Sequence, residues 1–342
     1  MANADLLIGL VKAGTSGDNA AFQRHVESLI ADERAKKHGL LADRLGALLR
    51  NGSGKPAPTR FNDNGASQYL LEQAPERSLD SLVLAPETEA LCRELIAEQH
   101  RGDLLKTYGL SPRHRLLVAG PPGNGKTTLA EAIAYELAVP LLVVRYEGLI
   151  GSFLGETGSR LQKVFDYARM QRCVLFFDEF EVLGKERGDT RETGEIKRVV
   201  GTLLTQIDRL PDYVVAIAAS NHPELLDRAA WRRFQVRIRL PAPTKTQIAR
   251  FVEHFATSRR FNFGLASSTL ADGLSGHCFA EVEEFCVDVL RQSILQGQIG
   301  NPRALTQSKL RQWRERAAVL GCGLPIYQRV REKLGVPILA SA

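Results

Sequence analysis

Residues 120–128 read Gly-Pro-Pro-Gly-Asn-Gly-Lys-Thr-Thr, directly after the run Arg-Leu-Leu-Val-Ala at 115–119. A strand that ends in glycines and passes into a helix turns backbone N–H groups towards an anion, and the helix dipole favours the same charge. The order strand, GxxxxGK[ST], helix is the pattern of a loop that cradles nucleotide phosphates. Gly120, Pro121, Pro122, Gly123, Asn124, Gly125, Lys126, Thr127 and Thr128 are therefore the candidate nucleotide contacts. Lys126 is placed to reach the β- and γ-phosphates, and the Thr127 hydroxyl to ligate Mg²⁺. A second apolar run, Val-Leu-Phe-Phe at 174–177, ends in Asp178-Glu179. Such a pair is common at strand ends, but after a phosphate loop it offers Asp178 to Mg²⁺ through water and Glu179 to polarise an attacking water. Glu179 thus predicts ATP hydrolysis rather than binding alone. A third run, at 216–219, ends in Ser220-Asn221-His222-Pro223; in an adjacent parallel strand it brings Asn221 level with Asp178. Arg232 and Arg233 stand between Trp231 and Phe234. Two adjacent arginines form a surface ion pair or are offered to a phosphate in a neighbouring subunit.

These residues need a scaffold that delivers several strand ends to one edge. Between about 79 and 242, β-branched and aliphatic runs at 115–119, 141–145, 174–177, 214–218 and 236–240 alternate with helical stretches. The helices begin near Lys126, Thr157, Glu195 and Glu224. That alternation predicts an α/β fold, a parallel sheet flanked by helices. Past Pro241-Ala242-Pro243 the patterns at 247–257, 279–295 and 304–320 predict a small all-helical domain. Upstream, Phe22, Val26 and Ile30, then Leu41, Leu45 and Leu48, recur at helical spacing around a break at Lys37-His38-Gly39. This is a short helical N-terminal unit with too few apolar residues to be stable alone. From Asn51 to about Gln68 the composition is that of a linker. Its Gly52-Ser53-Gly54-Lys55 is not a second phosphate loop, since no strand precedes it and Pro56 stands where Ser or Thr is needed. The expected organisation is 1–50, N-terminal helices for client or partner binding; 51–78, linker; 79–242, α/β ATPase domain; 243–320, helical lid; 321–342, basic C-terminal segment.

Composition narrows the classes. With 44% hydrophobic and 25% charged residues the chain reads as an ordinary soluble protein of two or three domains. No stretch approaches the roughly 18 apolar residues of a membrane span, and no basic residue precedes the first short apolar run, which argues against a secretory signal. Five scattered cysteines without a CxxC pair argue against structural zinc and a disulfide framework, so a cytoplasmic location is expected. Residues 301–342 hold eight basic residues against two acidic ones. The basic excess is a property of that tail and not a global nucleic-acid signature.

In order and spacing, residues 120–128, 174–179, Ser220-Asn221 and 231–234 resemble the AAA ATPases, a clade of the AAA+ superfamily, over about residues 80–300. The resemblance implies a P-loop NTPase domain followed by a helical lid, assembled as a homohexameric ring. It implies that Asn221 is the sensor-1 residue and that Arg232 and Arg233 are arginine fingers acting in trans. It also implies that the small-residue turn at 274–281, Gly276 within it, lies beside the adenine. Many members of the superfamily carry a sensor-2 arginine there; this chain has none, and His277 reads as a cap or core residue. The same alignment puts Gly151-Ser152-Phe153-Leu154-Gly155-Glu156-Thr157-Gly158 at pore loop 1. Phe153 and Leu154 would then project into the central channel and grip a polypeptide through non-directional apolar contact. The alternative is a Phe153 packed inside its own subunit. Residues 185–195 would form pore loop 2, or an ordinary solvated loop.

The function so implied is an ATP-driven protein remodeller, or unfoldase, threading a protein client. The segment Ser-Phe-Leu-Gly-Glu-Thr-Gly-Ser-Arg-Leu at 152–161 is loosely similar to the pore-loop segment of HORMA-remodelling ATPases. That likeness suggests a HORMA-domain client in bacterial anti-phage defence. Other readings are an unfoldase beside a separate peptidase, since no HExxH is present, a nucleic-acid motor or loader, and a nucleotide-gated scaffold that turns over little ATP.

Overall fold

A computed structural model describes residues 9, 12–13, 19–35, 65–149, 154–183, 192–226, 228–297 and 302–319. Six strands, β1 (Leu70–Gln73), β2 (Arg115–Ala119), β3 (Leu141–Val144), β4 (Cys173–Phe177), β5 (Val214–Ser220) and β6 (Val236–Arg239), make one sheet in the order β1-β3-β4-β5-β2-β6. β2 to β6 run parallel, and β1 pairs antiparallel with β3. β4 and β5 are buried at every residue, which is why they read as unbroken apolar runs. β6 alternates buried Val236 and Ile238 with exposed Arg237 and Arg239, as suits an edge.

β1 corrects the reading of 51–78 as linker throughout. Its four residues are too short to show a period of their own, and what makes them a strand is pairing, with Leu70 opposite Val144 and Gln73 opposite Leu141.

Helices α1 (Asn19–Ala35), α2 (Pro86–His100), α3 (Gly102–Thr107), α4 (Lys126–Leu137), α5 (Tyr146–Leu149), α6 (Leu154–Arg169), α7 (Glu192–Asp208) and α8 (Arg228–Arg233) accompany the strands. Successive side chains of a strand point to opposite faces, and so the sheet feeds two cores. Phe177, Ala216 and Ala218 join Phe165, Leu203, Ile207 and Phe234 on one face. Phe176, Val215 and Ile217 join Leu95, Leu129 and Ile133 on the other. Of the N-terminal apolar residues, Phe22, Val26 and Ile30 lie on α1, whereas Leu41, Leu45 and Leu48 lie outside the described residues.

The lid comprises α9 (Lys245–Arg259), α10 (Ser267–Gly273), α11 (Phe279–Leu295) and α12 (Arg303–Val319) around its own core of Ile248, Phe255, Leu270, Phe285 and Trp313. α10 has no counterpart among the helices read from periodicity. At seven residues it spans barely two turns and shows no full repeat. A capping box starts α9: the Thr244 hydroxyl accepts from the Gln247 N–H while the Gln247 side chain accepts from the Thr244 N–H.

Candidate functional site

The phosphate loop leaves the C-terminal end of β2 and is held from three sides. The Gly120 N–H donates to Ser220 O at 3.1 Å, beside the end of β5. A Cβ on Gly120 would lie 2.1 Å from Leu240 O, so only glycine lets the backbone pass β6 at this point. Gly123 has φ 75°, and a Cβ there would sit 2.5 Å from Cys278 Sγ at the start of α11. The Ala280 N–H donates to Gly123 O at 3.0 Å, and Asn124 Nδ2 donates to Pro241 O at 3.2 Å. Lid and loop therefore meet directly.

Lys126, the first residue of α4, is buried and donates to Gly120 O at 2.9 Å and Pro121 O at 3.0 Å. Burial pulls its pKa below the usual 10.5, although the carboxylates Asp178, Glu181 and Glu179 draw it back up. At the next residue, the Thr127 hydroxyl donates to Asp178 Oδ2 at 3.2 Å, which puts two hard oxygen atoms side by side at the end of β4. That donor set fits Mg²⁺, which takes oxygen ligands and keeps several waters. Asp178 Oδ1 also accepts the Glu179 N–H at 2.9 Å. Glu179 itself is exposed and has φ 45°, a left-handed conformation that costs a non-glycine residue about 1–3 kcal/mol.

Asn221 follows β5, hydrogen-bonded directly to β4, with Phe177 opposite Ala218. Together with Asp178, Glu179, Lys126, Thr127 and Thr128 it borders one cleft of about 630 Å³, the size of a small-ligand site. From the lid the cleft is lined by Phe251, His254, Arg259, Phe279 and Glu283. Gly276 is not among the lining residues: at φ 90° it turns the chain ahead of α11, and from the stretch 274–281 it is Phe279 and Ala280 that reach the cleft. His277 is a core residue, its ring edge-on to Trp313 at 5.9 Å and Nδ1 3.3 Å from Glu281 Oε2.

Arg232 and Arg233 are elsewhere. With Arg115 and Asp208 they line a shallow depression at the opposite end of β2, about 15 Å from the loop for a five-residue strand. Arg233 forms an ion pair with Asp208, which also accepts from Arg115 Nη1 at 2.7 Å. Burial and the charge of Arg233 both lower the Arg115 pKa. Neither arginine reaches this chain's own cleft. Phe153 lies outside the described residues, as does the side chain of Leu154, the residue that opens α6. Of 185–195, residues 185–191 lie outside them and 192–195 open α7.

Sequence reasoning passed over Glu181 and Tyr146. Glu181 is buried, and its Oε1 accepts the Asn221 N–H at 3.0 Å. The signal available was a second carboxylate two positions after Glu179 in Asp-Glu-Phe-Glu. Nothing in the sequence marked Tyr146, whose hydroxyl is buried without a hydrogen-bond partner among the described residues and lies in the field of Asp178, Glu181 and Glu179.

The family described as "ATPase family associated with various cellular activities (AAA)" matches residues 116–242. The chain is 34% identical over 303 residues to the uncharacterized AAA family ATPase y4kL of Sinorhizobium fredii, covering 86% of this chain and 91% of that one. It is 31% identical over 189 residues to a cell division cycle protein 48 homolog of Archaeoglobus fulgidus, 54% of this chain and 26% of that one. It is also 31% identical over 183 residues to a putative 26S proteasome regulatory subunit homolog of Methanothermobacter thermautotrophicus, 52% of this chain and 48% of that one. The chain thus spans about a quarter and about a half of the length of these last two relatives.

Proposed function

Since this chain belongs to the AAA family of ATPases, we propose that it is an ATP-hydrolysing protein remodeller that works as a homohexameric ring. The observation that carries the reading is the meeting of phosphate loop, Thr127–Asp178 contact, Glu179 and Asn221 at one cleft edge. In this reading the loop N–H groups and Lys126 take the phosphate oxygens, Glu179 accepts the proton of the attacking water, and Asn221 orients that water. Thr127 and Asp178 would hold Mg²⁺, which when bound neutralises charge developing on the phosphate oxygens. Arg233, paired with Asp208 about 15 Å from its own cleft, and the exposed Arg232 beside it suit a role at the phosphate of the next subunit. Among the described residues no helix is long and apolar enough to cross a membrane.

Similarity to a Cdc48 homolog and a proteasome regulatory subunit homolog supports a protein client. Phe153 and Leu154 would grip it in the channel. A HORMA-domain protein as client rests on the loose likeness of 152–161 alone, and service to a separate peptidase remains the competing use of the same motor.

The test pairs two variants. Glu179→Gln should slow hydrolysis about 10²–10³-fold, hold ATP, and capture the client for identification by mass spectrometry. Phe153→Ala should keep ATPase activity and abolish remodelling of whatever client is captured. Undiminished turnover in Glu179→Gln would remove Glu179 as the catalytic residue, and remodelling that survives Phe153→Ala would end the threading reading.

A further inference from the structure

Two buried polar atoms near the catalytic strand end have no hydrogen-bond partner among the described residues, Tyr146 Oη and Glu181 Oε2. One belongs to a hydroxyl donor and the other to a carboxylate acceptor. The hydroxyl lies within electrostatic reach of Asp178, Glu181 and Glu179, and burial first, these charges second, push its pKa well above 10. It is therefore a standing donor. A buried unpaired hydroxyl costs stability that a phenylalanine would not, so a tyrosine at this position needs a reason.

The neighbours of the two atoms say what a bond between them would govern. Through Oε1, Glu181 holds the Asn221 N–H and so sets where the end of β5 stands beside Asp178. Tyr146 opens α5, whose Gly148 O accepts from Arg160 Nη1 at 2.8 Å. Gly148 also fits so closely on Tyr69 that a Cβ would lie 3.1 Å from its ring. In sequence, α5 is followed by residues 150–153. The clamped helix thus comes, in sequence, just before Phe153 and Leu154, the residues that would grip the client.

We propose that Tyr146 is a positioning residue: with nucleotide in the cleft its hydroxyl donates to Glu181 Oε2, tying α5 to the Asn221 end of β5. Hydrogen bonds that are long or open in an empty active site commonly close in the substrate complex. This one satisfies both orphaned atoms at once. Tyr146 touches no reacting atom; it acts through Glu181 on Asn221, and it gives α5 a mechanical link to the strand end that senses the phosphate. The kinetic arm of the test rests on the ATPase reading above, and the exchange arm does not.

Tyr146→Phe removes only the hydroxyl. It should leave Tm unchanged or higher, keep KM for ATP, and lower kcat about tenfold. The double variant Tyr146→Phe/Glu181→Gln should fall no further than the worse single variant, as expected for two groups joined by one bond. Hydrogen exchange at the Asn221 amide, followed with a non-hydrolysable ATP analogue bound, should quicken about tenfold in Tyr146→Phe. Unchanged Asn221 exchange overturns the proposal whatever kcat does, and so do additive losses in the double variant. Should neither wild type nor variant hydrolyse ATP while the exchange still responds, the ATPase reading falls and the contact stands.

Discussion

The two ends of β2 handle positive charge in opposite ways. At its C-terminal end one buried lysine is enclosed by its own loop, with carbonyls at 2.9 and 3.0 Å and three carboxylates in its field. At its N-terminal end Arg115, Arg232 and Arg233 crowd around a single Asp208. The first end is self-sufficient: loop, metal-type oxygens and acid all come from one chain. The second is a partly neutralised surface, and three cations to one carboxylate leave it disposed towards an anion from outside. In the ring proposed above, one chain's surplus arginine would complete the next chain's cleft.

The largest expected effect breaks the comparison at its N-terminal end. Arg233→Ala should lower hydrolysis about 10³-fold although the altered residue is remote from the cleft of its own chain. Mixing Arg233→Ala with Lys126→Ala subunits should restore activity, because an intact arginine then faces an intact loop. Activity that stays absent in the mixture, by steady-state phosphate release, would place both groups in one subunit's site. The same measurement on Arg232→Ala tells which arginine does the work, and the weaker loss is expected there, since Arg232 is exposed and Arg233 is the one oriented by Asp208.

A middle-sized effect probes the self-contained end. Gly123→Ala places a Cβ at φ 75° against Cys278 Sγ. It should destabilise the fold by about 1–3 kcal/mol and weaken nucleotide binding by pushing lid and loop apart, as read by chemical denaturation and by titration with a fluorescent nucleotide.

The smallest effect is on pH dependence. Burial holds the Lys126 pKa below 10.5. Between the folded value and 10.5 the unfolded chain therefore binds more protons, and stability rises with pH across that window. Lys126→Met should flatten this rise in denaturation midpoints measured at alkaline pH. A slope unchanged by the substitution would mean that the ammonium is solvated and the enclosure ineffective.

The core of the cleft was legible because its chemistry is local. A glycine pattern between a strand and a helix, and carboxylates after an apolar strand, announce their roles within a dozen residues, and β2, β4 and β5 follow from apolar runs that only a buried strand explains. Long-range matters were not legible. β1 became a strand by pairing with β3 across some seventy residues, and within 274–281 it is Phe279 and Ala280 that line the cleft, because the direction of a turn, not its composition, decides which side chains face it. The pairing of Arg233 with Asp208 and of Asn221 with Glu181 depends on where separate elements come to lie, and an orphaned hydroxyl such as that of Tyr146 exists only once a core has closed around it. By itself, then, the sequence determined the reaction's parts and the α/β class that carries them. The tertiary structure alone decided which parts are enclosed, which stand away from the chain's own cleft, and which polar atoms near the end of β4 are left without a partner, because burial and distance are properties of packing and not of any single segment.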